Sequence, residues 1–424
     1  HIMTTGEGTI DIQAKGNISI FDGNTITANA NVRMVADETL TIGSIMADGI
    51  SLTAKKIIDS DTDHININAN HLLIKSLDAG AGTQDNMLDI SVDRFSASVY
   101  DLFIHEADGI QIDDVGEMTV NRVTIHGCLA ENTLVDSMSA GIVSTGDVYL
   151  HVDSGNTIIN QMTSQGNMTI INDSGSIVDH ADDQLVDLTA GDEKLITLTV
   201  ANNIEGKTND TFLEVADNST LIAKSTSQGN IHIQGMGSLN LQKLETTDGL
   251  IQVKTQNNIF IDYIEAIGNI DLIALSGSIL EARDDATVNL KADQSITLTA
   301  SENIGNPDGK YLDVADLSTV AVSSTAQGDI FIRGEGELII NDASTANGRI
   351  DIVANDQIQA LNLVSGGDQT LIHNLSGDIL IGKILSDDQI VIIADQGAIM
   401  DFTNDNLVDL TSGNNKQIIL NAFN

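Results

Sequence analysis

Along the chain, apolar and polar residues alternate over runs of four to six positions, as in Ile196-Thr197-Leu198-Thr199 and Ile259-Phe260-Ile261-Asp262. A period of two marks a β-strand that buries one face. Each run ends at Gly, Asn, Asp or Ser, which supply left-handed or side-chain-bonded turns, so the chain reads as strand, corner, strand, corner. One phrase recurs at the corners: Gly, then Asn or Asp, then apolar, any, apolar. It begins at Gly16, Gly146, Gly166, Gly229, Gly268, Gly328 and Gly377, with spacings that include 20, 39, 60 and 49.

A longer repeat lies above the short one. Ile196-Thr-Leu-Thr returns at Ile296, Leu213-Glu-Val-Ala-Asp217 as Leu312-Asp-Val-Ala-Asp316, and Leu185-Val-Asp-Leu-Thr-Ala-Gly191 as Leu407-Val-Asp-Leu-Thr-Ser-Gly413. The offsets of 100, 99 and 222 residues are near multiples of about 20. Duplicated blocks of coils produce such offsets. A unit of about 20 residues holds two or three short strands and their corners, which is one coil of a β-solenoid. Coils stacked at about 4.8 Å predict about 21 turns and a length on the order of 100 Å. The expected fold class is therefore all-β, a right-handed parallel β-helix of about 20 residues per coil, the hand following the general rule for crossover connections. The whole span 1–424 reads as one continuous solenoid, with residues 84–140 as irregular coils or an insertion. That stretch lacks the Gly-Asn/Asp phrase and gathers Phe95, Tyr100, Phe103, His105, His126 and Cys128.

Composition sharpens this picture. A single Pro in 424 residues, where average usage predicts roughly 20, fits a chain in which nearly every backbone N–H is needed for the ladder. With 61 Asp plus Glu against 19 Lys plus Arg, the formal charge is −42. Phosphate-rich partners are disfavoured, so nucleic acid is excluded as an expected partner. No apolar run approaches the roughly 20 residues of a helical membrane span. Cys128, the only cysteine, rules out an internal disulfide. His1-Ile2-Met3 reads as a vector-derived remnant, and both ends enter repeat-like strands, so further coils are expected beyond each end.

No catalytic or cofactor-binding residue stands out. The most suggestive polar pattern is acidic: Ser176-Ile-Val-Asp179-His180-Ala-Asp182-Asp183 aligns with Ser278-Ile-Leu-Glu281-Ala-Arg-Asp284-Asp285, and Ala398 to Asp405 keeps part of it. Carboxylates converging at one corner suit calcium, which takes six to eight oxygen ligands; a solvated acidic turn is the plain alternative. Asp61 with Asp63, Asp113 with Asp114 and Asp387 with Asp388 read as surface charge. Calcium is thus the one cofactor weighed, with Asp182, Asp183, Asp284 and Asp285 as its candidate ligands. The histidines, among them His64, His71, His105, His126 and His151, show no metal spacing and are expected on solvent-facing positions. His105 with Cys128 and Asp113 is the only conceivable nucleophilic set, and it lacks a nucleophile motif. A polysaccharide lyase or hydrolase would need paired carboxylates, but here acidic pairs repeat with the coils, as scaffold features do. Thr39, Thr197 and Thr297 are too few for an ice-binding face. Asn and Asp at the corners are expected to form amide ladders between coils.

With coil, corners and composition in hand, the chain resembles the repeat regions of large bacterial exoproteins of the filamentous haemagglutinin type. The stretch GDIFIRGEGELIINDASTANGRIDIVAND, Gly328 to Asp356, resembles them most. The resemblance implies a right-handed parallel β-helix serving as shaft or binding surface of a secreted adhesin. The implied location is extracellular or at the bacterial cell surface, and the implied partner a cell-surface or matrix ligand, protein or glycan. The Asn-Pro-Asn motifs of the family's secretion module are not found; the only proline is Pro307, in Asn306-Pro307-Asp308-Gly309.

Overall fold

The computed structural model describes residues 1–60, 64–123, 131–137, 141–208, 211–283, 287–306, 310–403 and 407–423. These form strands and no helix, in parallel coils about 21 residues apart: a β-solenoid of about 18 turns. The turns are fewer than a strict 20-residue repeat predicts because several coils carry long loops and one carries a hairpin. The chain divides into two compact units, residues 1–219 and 220–424.

Within each unit the period-two pattern becomes burial. In Val32–Ala36 the residues Val32, Met34 and Ala36 are buried while Arg33 and Val35 are not. Parallel register then stacks like on like. Ile231, Ile251, Ile270 and Ile296 lie one above another in the second unit, as do Ile330 and Ile350. Each of these side chains is fully buried, stabilising by about 1.5–3 kcal/mol apiece. A coil obtains this burial only with a coil on each side. Ile418 and Leu420, which repeat the inward pattern in the last coil, are accordingly exposed.

The corners explain why Asn and Asp interchange. Asp147 Oδ1 accepts the Asn167 N–H at 2.8 Å, Asn167 Oδ1 accepts that of Leu195 at 3.1 Å, and Asp329 Oδ1 accepts that of Arg349 at 2.9 Å. These bonds run from a side-chain oxygen to the backbone of the next coil. The expected amide-to-amide ladder is therefore replaced by side chain to main chain, for which only an oxygen is required. The preceding glycine is demanded by close approach: a Cβ on Gly328, just before Asp329, would lie 2.4 Å from the Glu302 carbonyl oxygen.

Residues 84–140 contain both regular and irregular structure. Leu88–Val99, Leu102–Glu106 and Ile110–Ile112 are ordinary coil strands with Phe95 in the core. The chain then leaves the coil through a turn at Gly116 (φ 71°), whose N–H is held by Asp114 Oδ1 at 2.8 Å. Met118–Val123 and Glu131–Asp136 form an antiparallel hairpin. It folds back onto the first coils: Asn31 Nδ2 donates to the Thr119 carbonyl, and Arg33 bridges Asp136 (2.8 Å) and Asp11 (3.1 Å). Ser51 donates to the same Asp136 oxygen, while Leu73, Val115 and Met118 form the apolar contact. His126 and Cys128 lie outside the described residues.

Candidate functional site

A row of titratable side chains on the first unit follows from register. Leu102–Glu106 faces its core with Leu102, Ile104 and Glu106, which turns Phe103 and His105 outward. His105 pairs with Asp89 on one side and His151 on the other, so the ladder sets these side chains in a row. His105 Nδ1 meets Asp89 Oδ1 at 2.6 Å, and its Nε2 meets Asp153 Oδ1 at 2.8 Å. His151 Nε2 continues to Asp173 Oδ2 at 2.9 Å, with the two imidazole centroids 5.2 Å apart. A cleft of about 280 Å³ lies against the row, lined by His64, Ile65, Asp89, Ile90, His105, Ala107 and Asp153. Burial opposes charge on His105, but the carboxylates of Asp153 and Asp89 outweigh it and raise its pKa.

An imidazole whose two nitrogens are both held by carboxylates is a charged strut and has no free nitrogen with which to act as a base. Asp113 does not join it: its carboxylate is taken by Gln111 and Asn160 at 3.0 and 2.8 Å, with His180 at 3.7 Å. Of the nucleophilic set considered from the sequence, His105 and Asp113 are thus engaged with other partners. His105, His151 and Asp153 offer ligand atoms within 4.8 Å of one another, a set that could hold a transition ion if it displaced these bonds. The His–Asp step also recurs in the second unit, where His373 Nε2 meets Asp395 at 3.0 Å. Not every histidine faces solvent, however; His232 is buried.

The acidic motif splits. Asp182 and Asp183 are exposed and accept the backbone N–H groups of Lys207 and Leu185, as in a solvated turn. Asp179 instead turns inward, and its ligand atom lies within 4.8 Å of those of Asp187 and Glu214, all three residues being buried. Sequence inspection missed Glu214 because it comes from the following coil, and Asp187 because nothing local marks it as buried. Asp284, Asp285, Asp61, Asp63, Asp405 and Pro307 fall outside the described residues.

Among its described residues the second unit carries an aromatic and arginine cluster. Tyr311 Oη donates to Asp351 at 2.9 Å and packs edge-on against Phe331, over which Arg349 lies at 4.4 Å. Arg333 pairs with the buried Asp313. Burial raises Asp351, against the opposing hydrogen bond from Tyr311 and the charge of Arg349.

No protein-family model, curated protein or solved structure matches the chain.

Proposed function

We propose that the chain is a non-catalytic, structural and adhesive β-solenoid segment of a large secreted or cell-surface bacterial protein of the filamentous haemagglutinin type. The observation that supports this best is the distribution of its polar chemistry. Corner oxygens hold the next coil's backbone, His–Asp pairs join neighbouring coils in both units, and the half-buried titratable groups are occupied with one another. Such a surface resists shear between coils and presents a hydrated, acidic side. Its ligand is a protein or glycan of a cell surface or matrix that tolerates a charge of −42, and the cleft beside His105 offers a recessed polar surface in the first unit.

A second reading, a polysaccharide-active lyase or hydrolase, has the Tyr311, Arg349 and Asp351 cluster in its favour, since it sets a carboxyl group beside a phenol and an arginine. One assay separates the two. The purified protein is applied to immobilised glycans and matrix proteins, and in parallel incubated with soluble polysaccharides while new reducing ends and unsaturated products are measured. Saturable binding with no product is expected. Product formation abolished by Arg349→Ala would overturn the adhesive reading.

A further inference from the structure

Three coils close a long loop in the same way. In the first, Ile45 N–H bonds the Asn66 carbonyl, Asn66 N–H bonds the Asp89 carbonyl, and Asn66 Oδ1 accepts the Asp89 N–H at 3.1 Å. In the second, Met162, Asp187 and Glu214 repeat these bonds, with Asp187 Oδ2 accepting the Glu214 N–H at 2.8 Å. In the third they fall on Ile264, Asn289 and Asp313, with Asn289 Oδ1 accepting at 2.9 Å. The residue that follows is in each case a buried strand residue stacked on its neighbours: Ile67, Leu188 and Leu290.

The backbone is shared, but the charge is not. Asn66 Nδ2 donates to Asp59 Oδ1 at 2.6 Å and to the Gly43 carbonyl at 3.0 Å, and Asn289 Nδ2 donates to the Asp262 carbonyl at 3.1 Å. The stacked acid of each of these coils also meets a cation, His105 for Asp89 and Arg333 for Asp313. At Asp187 both devices are missing. A carboxylate replaces the amide, so no NH₂ faces Asp179, and the acid above it, Glu214, pairs with no Lys, Arg or His among the described residues. Asp179, Asp187 and Glu214 are only 3, 2 and 7% exposed. Asp179 Oδ2 is buried with no hydrogen-bond donor among the described residues. Asp179 Oδ1 is already occupied by the Ala181 N–H at 2.9 Å.

We infer that Asp179, Asp187 and Glu214 form a buried site for a hard divalent cation of the calcium class, the cation standing where the other two coils place an asparagine amide and a basic side chain. Three anionic oxygens within 4.8 Å of one another suit an oxygen-seeking ion, and a buried oxygen without a donor is the position such an ion completes. The site is distinct from the exposed Asp182 and Asp183.

The test uses the whole protein, stripped with chelator and then titrated with calcium chloride by calorimetry, with thermal melts in excess chelator and in millimolar calcium. Asp187→Asn copies the asparagine of the two neutral coils and is expected to fold. The wild type is expected to bind calcium saturably at this site and to melt higher with it, the rise growing with calcium concentration as mass action requires. Asp187→Asn is expected to lose that binding and its calcium-dependent shift, while melting higher than wild type in chelator. Asp182→Asn with Asp183→Asn is expected to keep both. A wild type that binds no calcium would overturn the site even if Asp187→Asn were stabilising, because shared protons would then hold the cluster. An Asp187→Asn protein with unchanged calcium binding and shift would also overturn it.

Discussion

The loop bases at Asn66 and Asp187 share main-chain hydrogen bonds, burial and register, yet one is closed by an amide and an imidazole and the other by carboxylates alone. Backbone stacking fixes where the side chain at this position sits, and the side chain then decides whether the coil is neutral or anionic inside. In a solenoid this choice can be made coil by coil, since each coil touches only its neighbours. The corner at Asn167 is a third case. There the side chain is exposed and only its oxygen is used.

The comparison can be broken most strongly at Asn66. Asn66→Asp removes the donor to Asp59 and adds a buried negative charge, and it is expected to cost about 3–5 kcal/mol in urea unfolding without divalent cations. A loss below about 1 kcal/mol would mean that the two loop bases are electrostatically alike. The reverse change, Asp187→Asn, is expected to stabilise the chelated protein by about 1–3 kcal/mol at pH 7. Its sign follows from linkage. Burial raises the carboxyls of Asp179, Asp187 and Glu214, with the exposed Asp182 and Asp183 adding to the negative field. The folded protein therefore holds protons that the unfolded chain releases above about pH 4. Without cation, stability falls as pH rises from there through the raised values. Asp187→Asn should flatten this fall, and chemical denaturation from pH 4 to 8 measures it; an unchanged slope would assign the fall to other groups, such as Glu106, which burial and Asp108 push up to about 9.

A smaller effect is expected at His105. His105→Ala should cost about 1 kcal/mol at pH 5–6. Because the folded pKa of His105 is raised, its contribution is fully present below the unfolded value near 6.5 and is lost as pH rises through the raised one. Unfolding at pH 5.5 and pH 9 compares the two; an equal cost at both would mean that packing, not charge, holds the row. Asn167→Asp should be the mildest change, within about 0.5 kcal/mol by the same urea assay, because the carboxylate oxygen accepts the Leu195 N–H as the amide oxygen does. The same substitution is thus predicted to be severe at residue 66 and nearly silent at residue 167.

Much of this was legible in residue order. Alternation in Ile196-Thr197-Leu198-Thr199 predicted which side chains turn inward, Ile196 and Leu198 being buried, and the Gly-Asn/Asp phrase located the corners. Aligning Ile65-Asn66-Ile67, Val186-Asp187-Leu188 and Val288-Asn289-Leu290 would have exposed the exchange of Asn for Asp. Nothing local, however, indicated that Asp187 is buried beside Asp179 and Glu214, or that Asp89 meets His105 rather than Asp113. Exposed and buried acids look the same in a chain this acidic.

Periodicity by itself determined the all-β coil, its stacking and its corners, because a strand's side-chain alternation and a turn's conformational demands are local properties repeated turn after turn. The pairing of charges, the hairpin folded onto Arg33 and the burial of the three carboxylates were decided only by the tertiary structure. Loops of unequal length shift which residues of successive coils come into register, and electrostatic environment depends on those neighbours in space.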